Sequence, residues 1–269
     1  MRPKLVVSYN KDGKEPLKDR IFSNVDSWAD VHYLDPETEH PNFFEDKDLS
    51  CDLYHMARTR DHSLTDLYRA EKKGIKTINP YKGAKLVDDR FESIKVLENY
   101  GVKVPKSFFG SYEEVLQDGA KPPFVTKPRY EGEGHGILFS EKGFFEGKLM
   151  VQEFIDYDSC IKLYGIGDDV RAVKLSGLKA IDRDYNGGSQ IEVEDYMADM
   201  VEQVSEITGL KLFELDVLEK DSEFYVVDVN SMIGLQNVSD AVEVYNKLLW
   251  EYSGLNVGEF KEFFPKIVF

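Results

Sequence analysis

The chain has 269 residues, 42% of them hydrophobic and 13% aromatic, enough apolar surface for a substantial core and evidence against global disorder. A formal charge of −16, with no basic run to offset it, makes nucleic acid and anionic membranes unfavourable partners. Cys51 and Cys160, 109 residues apart, support neither a disulfide scaffold nor a zinc site.

No segment reaches the ~20 apolar residues of a membrane-spanning helix. Residues 1–7 read as a first strand rather than a signal peptide. The expected compartment is the cytoplasm, and a homo-oligomer is left open.

Along the chain, strand-like and helix-like segments alternate over the first 80 or so residues: strands at 4–9, 31–34, 51–57 and 76–79, helices at 17–29 and 63–73, and a polar loop at 35–48. That alternation predicts a small parallel α/β lobe. From about residue 85, Val87, Phe91, Ile94 and Leu97 predict one helix whose start is favoured by Asp88 and Asp89 and whose end is set by Gly101 and Pro105. Short apolar runs at 124–126, 137–139, 149–155, 161–166 and 170–174 predict mostly antiparallel strands. A helix carrying Met197, Val201 and Val204 follows, then strands at 212–218 and 224–230 and a last helix with Ala241, Val244 and Leu248. The expected lobes are 1–84, 85–155 and 156–269.

Both late strands carry acids where apolar residues are expected. Asp228 and Asn230, two apart, share a strand face, and Asp216 reaches that face if the two strands pair. Two carboxylates and an amide carbonyl are hard oxygen ligands of the kind magnesium takes, with phosphate oxygens completing its shell. Either acid alone reads as a solvated strand residue; together, with Asn230, they favour a metal.

Lys127 ends a strand that runs into a turn rich in glycine, with Gly132, Gly134 and Gly136. Such a turn can close main-chain N–H groups on an anion, with Lys127 as a point charge, or be an ordinary hairpin. No helix follows it, which excludes a Rossmann or Walker loop. Residues 151–155, with Gln152, Glu153 and Ile155, can border an adenine edge or form an amphipathic strand. Lys162 and Lys174 lie on opposite arms of a hairpin turning at Gly167-Asp168-Asp169; they either meet at one phosphate site or are surface lysines. Arg58, Arg60 and His62 follow the third strand, as acceptor contacts or as a solvated turn. The stretch 182–189, with Arg183, is a mobile cover or a hairpin tip.

In this order the segments resemble the ATP-grasp superfamily from about residue 85 to residue 238. The resemblance rests on Asp89-Arg90 opening a helix, Lys127-Pro128 with its glycine loop, Gln152-Glu153-Phe154-Ile155, the Lys162 hairpin, Asp216, and Asp228-Val229-Asn230. No single piece is specific; the ordered set is. It implies an ATP-grasp fold of the α/β class, a small N-terminal parallel lobe followed by two β-rich lobes clamping ATP.

The resemblance also implies roles. Arg90 and Lys127 contact phosphates under the glycine loop, Gln152, Glu153 and Ile155 border the adenine, and Asp216, Asp228 and Asn230 bind magnesium, with manganese as a substitute. Lys162 faces the γ-phosphate or acceptor, and Lys174 or Arg183 stands in for an arginine that Leu175-Ser176 replaces. His135 matches a substrate-contacting histidine of one branch or is a loop residue.

Two branches look most similar, ribosomal-glutamate-ligase-like and inositol-tetrakisphosphate-kinase-like enzymes. Lys162 and the wording of the acid strands are similar to the kinases. The hairpin glycines and compact N-terminal lobe are similar to the ligases, although Asn230-Ser231-Met232-Ile233-Gly234 departs from their Asn-x-x-Pro-Gly. A carboxylate–amine ligase acting on a small-molecule or amino-acid acceptor is the expected activity, with a polyol-phosphate kinase as the alternative. A non-catalytic ATP-binding module is disfavoured by the intact acid set.

Overall fold

The computed structural model describes residues 2–9, 15–36, 38–39, 50–57, 63–130, 138–140, 144–175 and 187–264. Among them the chain forms three sheets. The first is parallel, in the order β2-β1-β3-β4, from β1 (Lys4–Ser8), β2 (Asp30–Leu34), β3 (Leu53–Met56) and β4 (Lys76–Ile78). Leu5, Val6 and Val7 are all buried, as expected of a central parallel strand covered on both faces. Helix α1 (Pro16–Trp28) starts on Pro16 and buries Ile21, Phe22, Val25 and Trp28 along one stripe. Helix α2 (Ser63–Lys72) precedes β4.

After β4 the structure departs from the sequence reading. The single helix expected around Asp88 is two, α3 (Tyr81–Asp88) and α4 (Arg90–Asn99). Asp89 separates them in an extended conformation, with φ −94° and ψ 96°. Its carboxylate accepts from Glu92 N at 3.1 Å, capping α4, and binds Arg129 Nε at 2.8 Å and Nη2 at 2.7 Å. A helix running through Asp89 would forgo these bonds. Val87 therefore belongs to α3, while Phe91, Ile94 and Leu97 belong to α4.

The second sheet is antiparallel, in the order β5-β8-β6-β7, from β5 (Ser107–Gly110), β6 (Phe124–Lys127), β7 (Leu138–Ser140) and β8 (Leu149–Glu153). Helix α5 (Tyr112–Gln117) covers one face of it through Val115, which packs with Phe124 and Val151. Sequence reading missed β5 and α5. The signal for α5 was present in Ser111-x-x-Glu114, which forms a reciprocal capping box.

The third sheet is antiparallel, in the order β11-β10-β9-β12-β13, from β9 (Ser159–Ile166), β10 (Asp169–Leu175), β11 (Gly188–Ile191), β12 (Leu212–Lys220) and β13 (Glu223–Asn230). Helix α6 (Asp195–Thr208) lays Met197, Val201 and Val204 on one face, against Leu163, Phe213 and Leu215. The other face meets α1 and α7 (Ala241–Tyr252) in a core containing Tyr164, Ile166, Val173 and Leu212. Trp28 Nε1 donates to Asn246 Oδ1 at 3.0 Å inside that core. Helix α8 (Val257–Phe263) and β11 were also missed; β11 is a polar edge strand with little alternation.

The fold is thus an N-terminal parallel sheet followed by two antiparallel sheets, as the resemblance implied. Among the described residues no helix is long and apolar enough to cross a membrane.

Candidate functional site

Strand register assembles the site. On β12 and β13, Asp216 stands directly opposite Asp228, and Glu214 opposite Asn230. On the other side of β12, β9 sets Lys162 opposite Asp216 and Tyr164 opposite Glu214. Directly opposed residues share a sheet face. One row is therefore Lys162, Asp216 and Asp228, and the next is Tyr164, Glu214 and Asn230. The register shifts after Asp216, leaving Val227 as an extra residue on β13, and this bulge bends β13 next to Asp228. The expectation that Asp216 joins the face of Asp228 and Asn230 holds in the geometry.

Two cations face this row from the other elements. Lys127, at the end of β6, is 6% exposed and donates from Nζ to the Val227 carbonyl at 2.8 Å. Arg90, at the start of α4, sets Nε 3.7 Å from Asp228 Oδ1 and donates from Nη1 to Tyr130 O at 3.1 Å and Pro128 O at 3.3 Å. The break at Asp89 is what turns Arg90 toward β13.

Burial pushes the Lys127 ammonium below the usual lysine range, while Asp228 and Asp216 pull it back. Burial likewise pushes Asp228 up, and Lys127 and Arg90 oppose that. For Lys162, burial works against the charge, but Asp216 and Glu214 together outweigh it and hold the group above the usual lysine range. Burial and the Asp216 charge raise Glu214.

The other expected residues divide. Lys127, Met150 and Gln152 share one face of the second sheet, since Lys127 opposes Met150 and Gln152 opposes Val125. Gln152 is buried and donates to Ser107 Oγ at 3.3 Å. Glu153 opposes Phe124, whose side chain lies in the core under α5, so the Glu153 side chain is on the face away from Lys127. The adenine role expected for that side chain is corrected accordingly. Ile155 lies just beyond the end of β8 and is half-buried.

Lys174 is also corrected. It opposes Ile161, whereas Lys162 opposes Val173, so the two lysines are on opposite faces of the hairpin. Lys174 is exposed, with Nζ 4.0 Å from Glu219 Oε2. Gly132, Gly134, Gly136, His135, Arg183, Arg58, Arg60 and His62 lie outside the described residues.

Sequence reading missed Glu214, although it stands two residues before Asp216 in the same strand and the alternation rule put both on one face. It also missed Asn79, just after β4. The buried Asn79 amide donates to Leu212 O at 2.6 Å and Ser231 O at 3.0 Å and accepts from Lys211 N at 2.9 Å and Leu212 N at 2.8 Å. It pins the start of β12 to the residue that follows Asn230. A lone Asn before Pro80 carries no signal of this in the sequence.

The residues present fit a divalent cation. Asp216 and Asp228 face each other across β12 and β13, and the cations beside them, Lys162 Nζ at 3.0 Å from Asp216 Oδ1 and Arg90 Nε at 3.7 Å from Asp228 Oδ1, hold them as ion pairs. Among the described residues no group of three or more His, Cys, Asp and Glu side chains is placed to hold a metal ion. The set here is instead two facing carboxylates and an amide, which is chemistry for a hard ion that keeps other oxygens in its shell.

Comparison with known proteins agrees with this layout. A family model described as an ATP-grasp domain matches residues 87–234. The coenzyme γ-F420-2:α-L-glutamate ligase of Methanocaldococcus jannaschii is 23% identical over 197 residues, 63% of this chain and 67% of that protein. D-alanine–D-alanine ligase from Bacillus anthracis superposes with a TM-score of 0.69 at 15% identity, covering 98% of this chain and 100% of that one. The ATP-grasp ligase PsnB, in complex with a minimal precursor, Mg and ADP, superposes at 0.68 with 14% identity, covering 93% of this chain and 98% of that one. With the family model matching more than half of its length, the chain belongs to the ATP-grasp family, and the proteins it resembles there are ligases.

Proposed function

We propose that this chain is a carboxylate–amine ligase that spends ATP to form an amide bond, with an amino acid or peptide among its substrates. The observation that carries the reading is the row of Lys162, Asp216 and Asp228 across three strands, faced by Lys127 and Arg90. The likeness to an α-L-glutamate ligase supports a ligase over a kinase.

In this reading Asp216, Asp228 and Asn230 would hold magnesium, which would offset charge on the terminal phosphates of ATP. Arg90 and Lys127 neutralise phosphate oxygens from the opposite side. A substrate carboxylate oxygen attacks the γ-phosphorus, ADP leaves, and an acyl phosphate results. The amine nitrogen then attacks the acyl carbon, inorganic phosphate leaves, and the amine proton passes to solvent. Lys162 is placed to hold charge on the transferring group. Little covalent work falls to the protein; its contribution is positioning and preset charge.

The test is a panel of amino acids, glutamate first, and short peptides, scored for ADP and phosphate release. A ligase releases the two in equal amounts, and hydroxylamine intercepts the acyl phosphate as a hydroxamate. ADP formed with a phosphorylated product and little free phosphate would instead establish a kinase.

A further inference from the structure

The magnesium reading leaves one of the chain's own cations to be explained. Lys162 Nζ stands 3.0 Å from Oδ1 of Asp216, a carboxylate assigned to the metal in the reading above, and also pairs with Glu214 Oε1. An ammonium and a divalent ion cannot share that oxygen closely, because like charges repel strongly where water is scarce. Displacing Lys162 would leave a partly buried cation in need of another partner.

Glu214 meets that need. It is 7% exposed, lies on the same sheet face one row along from Asp216, and has Tyr164 opposite it on β9 and Asn230 on β13. The remaining neighbours of Lys162 on that face, Cys160 two residues earlier and Val173 opposite, offer no negative charge. We propose that Glu214 is a positioning residue for Lys162. It retains the lysine ammonium when a divalent ion takes Asp216, so that Lys162 stays beside the metal and faces the phosphate instead of competing for the metal's ligand. This rests on the metal reading above.

The experiment is calorimetric titration of Mn2+ into the protein saturated with a non-hydrolysable ATP analogue, with thermal melts to establish that each variant is folded. Glu214→Gln is expected to weaken Mn2+ binding about tenfold, because Lys162 then has Asp216 alone. Glu214→Asp, which keeps the charge but shortens its reach, is expected to fall between. Lys162→Met is expected to bind Mn2+ at least as tightly as the parent, and the double variant to match Lys162→Met within about twofold.

An equal loss from Glu214→Gln in both backgrounds overturns the proposal, since Glu214 would then act on the metal itself. So does unchanged Mn2+ affinity in Glu214→Gln. A parent protein that binds the analogue but no Mn2+ overturns the metal reading and this inference with it.

Discussion

Lys127 Nζ donates to the carbonyl of Val227 at 2.8 Å, joining the end of β6 to the residue just before Asp228, 100 positions later. The bond closes the second sheet onto the third at the point where the acid row begins. It also places a buried cation whose charge is opposed by its own burial and supported by Asp228 and Asp216. A lysine is costly in such a place unless something anionic makes use of it.

Lys127→Met is therefore expected to lower kcat/KM by about 10²–10³-fold, the size seen when one preset charge is removed from such a site. Far-UV circular dichroism should be unchanged, and the loss should appear in nucleotide binding as well as turnover. Parent-like kinetics would remove Lys127 from the phosphate site.

The hairpin lysines should separate. Lys162 faces Asp216, and Lys174 faces the other way toward Glu219. Lys162→Met is expected to depress turnover by at least about 10²-fold, and Lys174→Met to leave it within about twofold, as for an exposed ion pair of little energetic weight. Steady-state ADP release reads both; a strong Lys174 effect would contradict the register.

Asn79→Ala removes an amide that makes four main-chain hydrogen bonds inside the protein. Stranding those groups is expected to cost on the order of 3 kcal/mol of folding stability, measured by urea unfolding. Because the bonds hold Leu212 and Ser231, which flank the acid strands, the divalent-ion requirement should rise too. Asn79→Asp, which lacks the two N–H donors, should recover only part of the loss.

His55 gives stability a pH dependence. Its ring is buried, with Nδ1 3.0 Å from the Ile78 carbonyl and Nε2 2.6 Å from the Tyr245 hydroxyl, and burial pushes its pKa down from 6.5 to about 4. The unfolded chain takes up a proton near pH 6.5 while the folded one does not until about pH 4. Stability from this group is thus present above pH 6.5 and lost as pH falls toward 4, by roughly 3 kcal/mol. In urea unfolding, the stability gap between the parent and His55→Gln should narrow by about that amount over the same range.

Gly165→Ala tests packing beneath the site. A Cβ there would stand 2.5 Å from Phe213 Cε1 and 3.0 Å from Val201 Cγ1, between β9 and α6. Overpacking of this kind costs about 1–3 kcal/mol, so the thermal midpoint should fall. A Phe213→Leu change in the same chain should restore part of it.

Much of the site was legible in the sequence because strand chemistry repeats every two residues. Asp228 and Asn230 had to share a face, and an acid in each of two adjacent apolar strands is unusual enough to suggest a metal. The same rule, applied to β12, would have added Glu214. It failed for Lys174 because a face is assigned by pairing register, and the turn at Gly167 fixes that register only once the hairpin forms. It failed at Asp89 because apolar spacing ran on through a position where a carboxylate prefers a cap and an arginine partner 40 residues away.

By itself, the sequence determined the order of most of the elements, the family they resemble, and which residues carry oxygen or positive charge. These follow from local periodicity and side-chain chemistry, which act over a few residues. Only the tertiary structure decided that Asp216 meets Asp228, that Lys162 rather than Lys174 joins them, and that Asn79 and Lys127 tie separate sheets to the acid strands. Those outcomes depend on register and on long-range burial, and no short window of sequence contains both partners of such a contact.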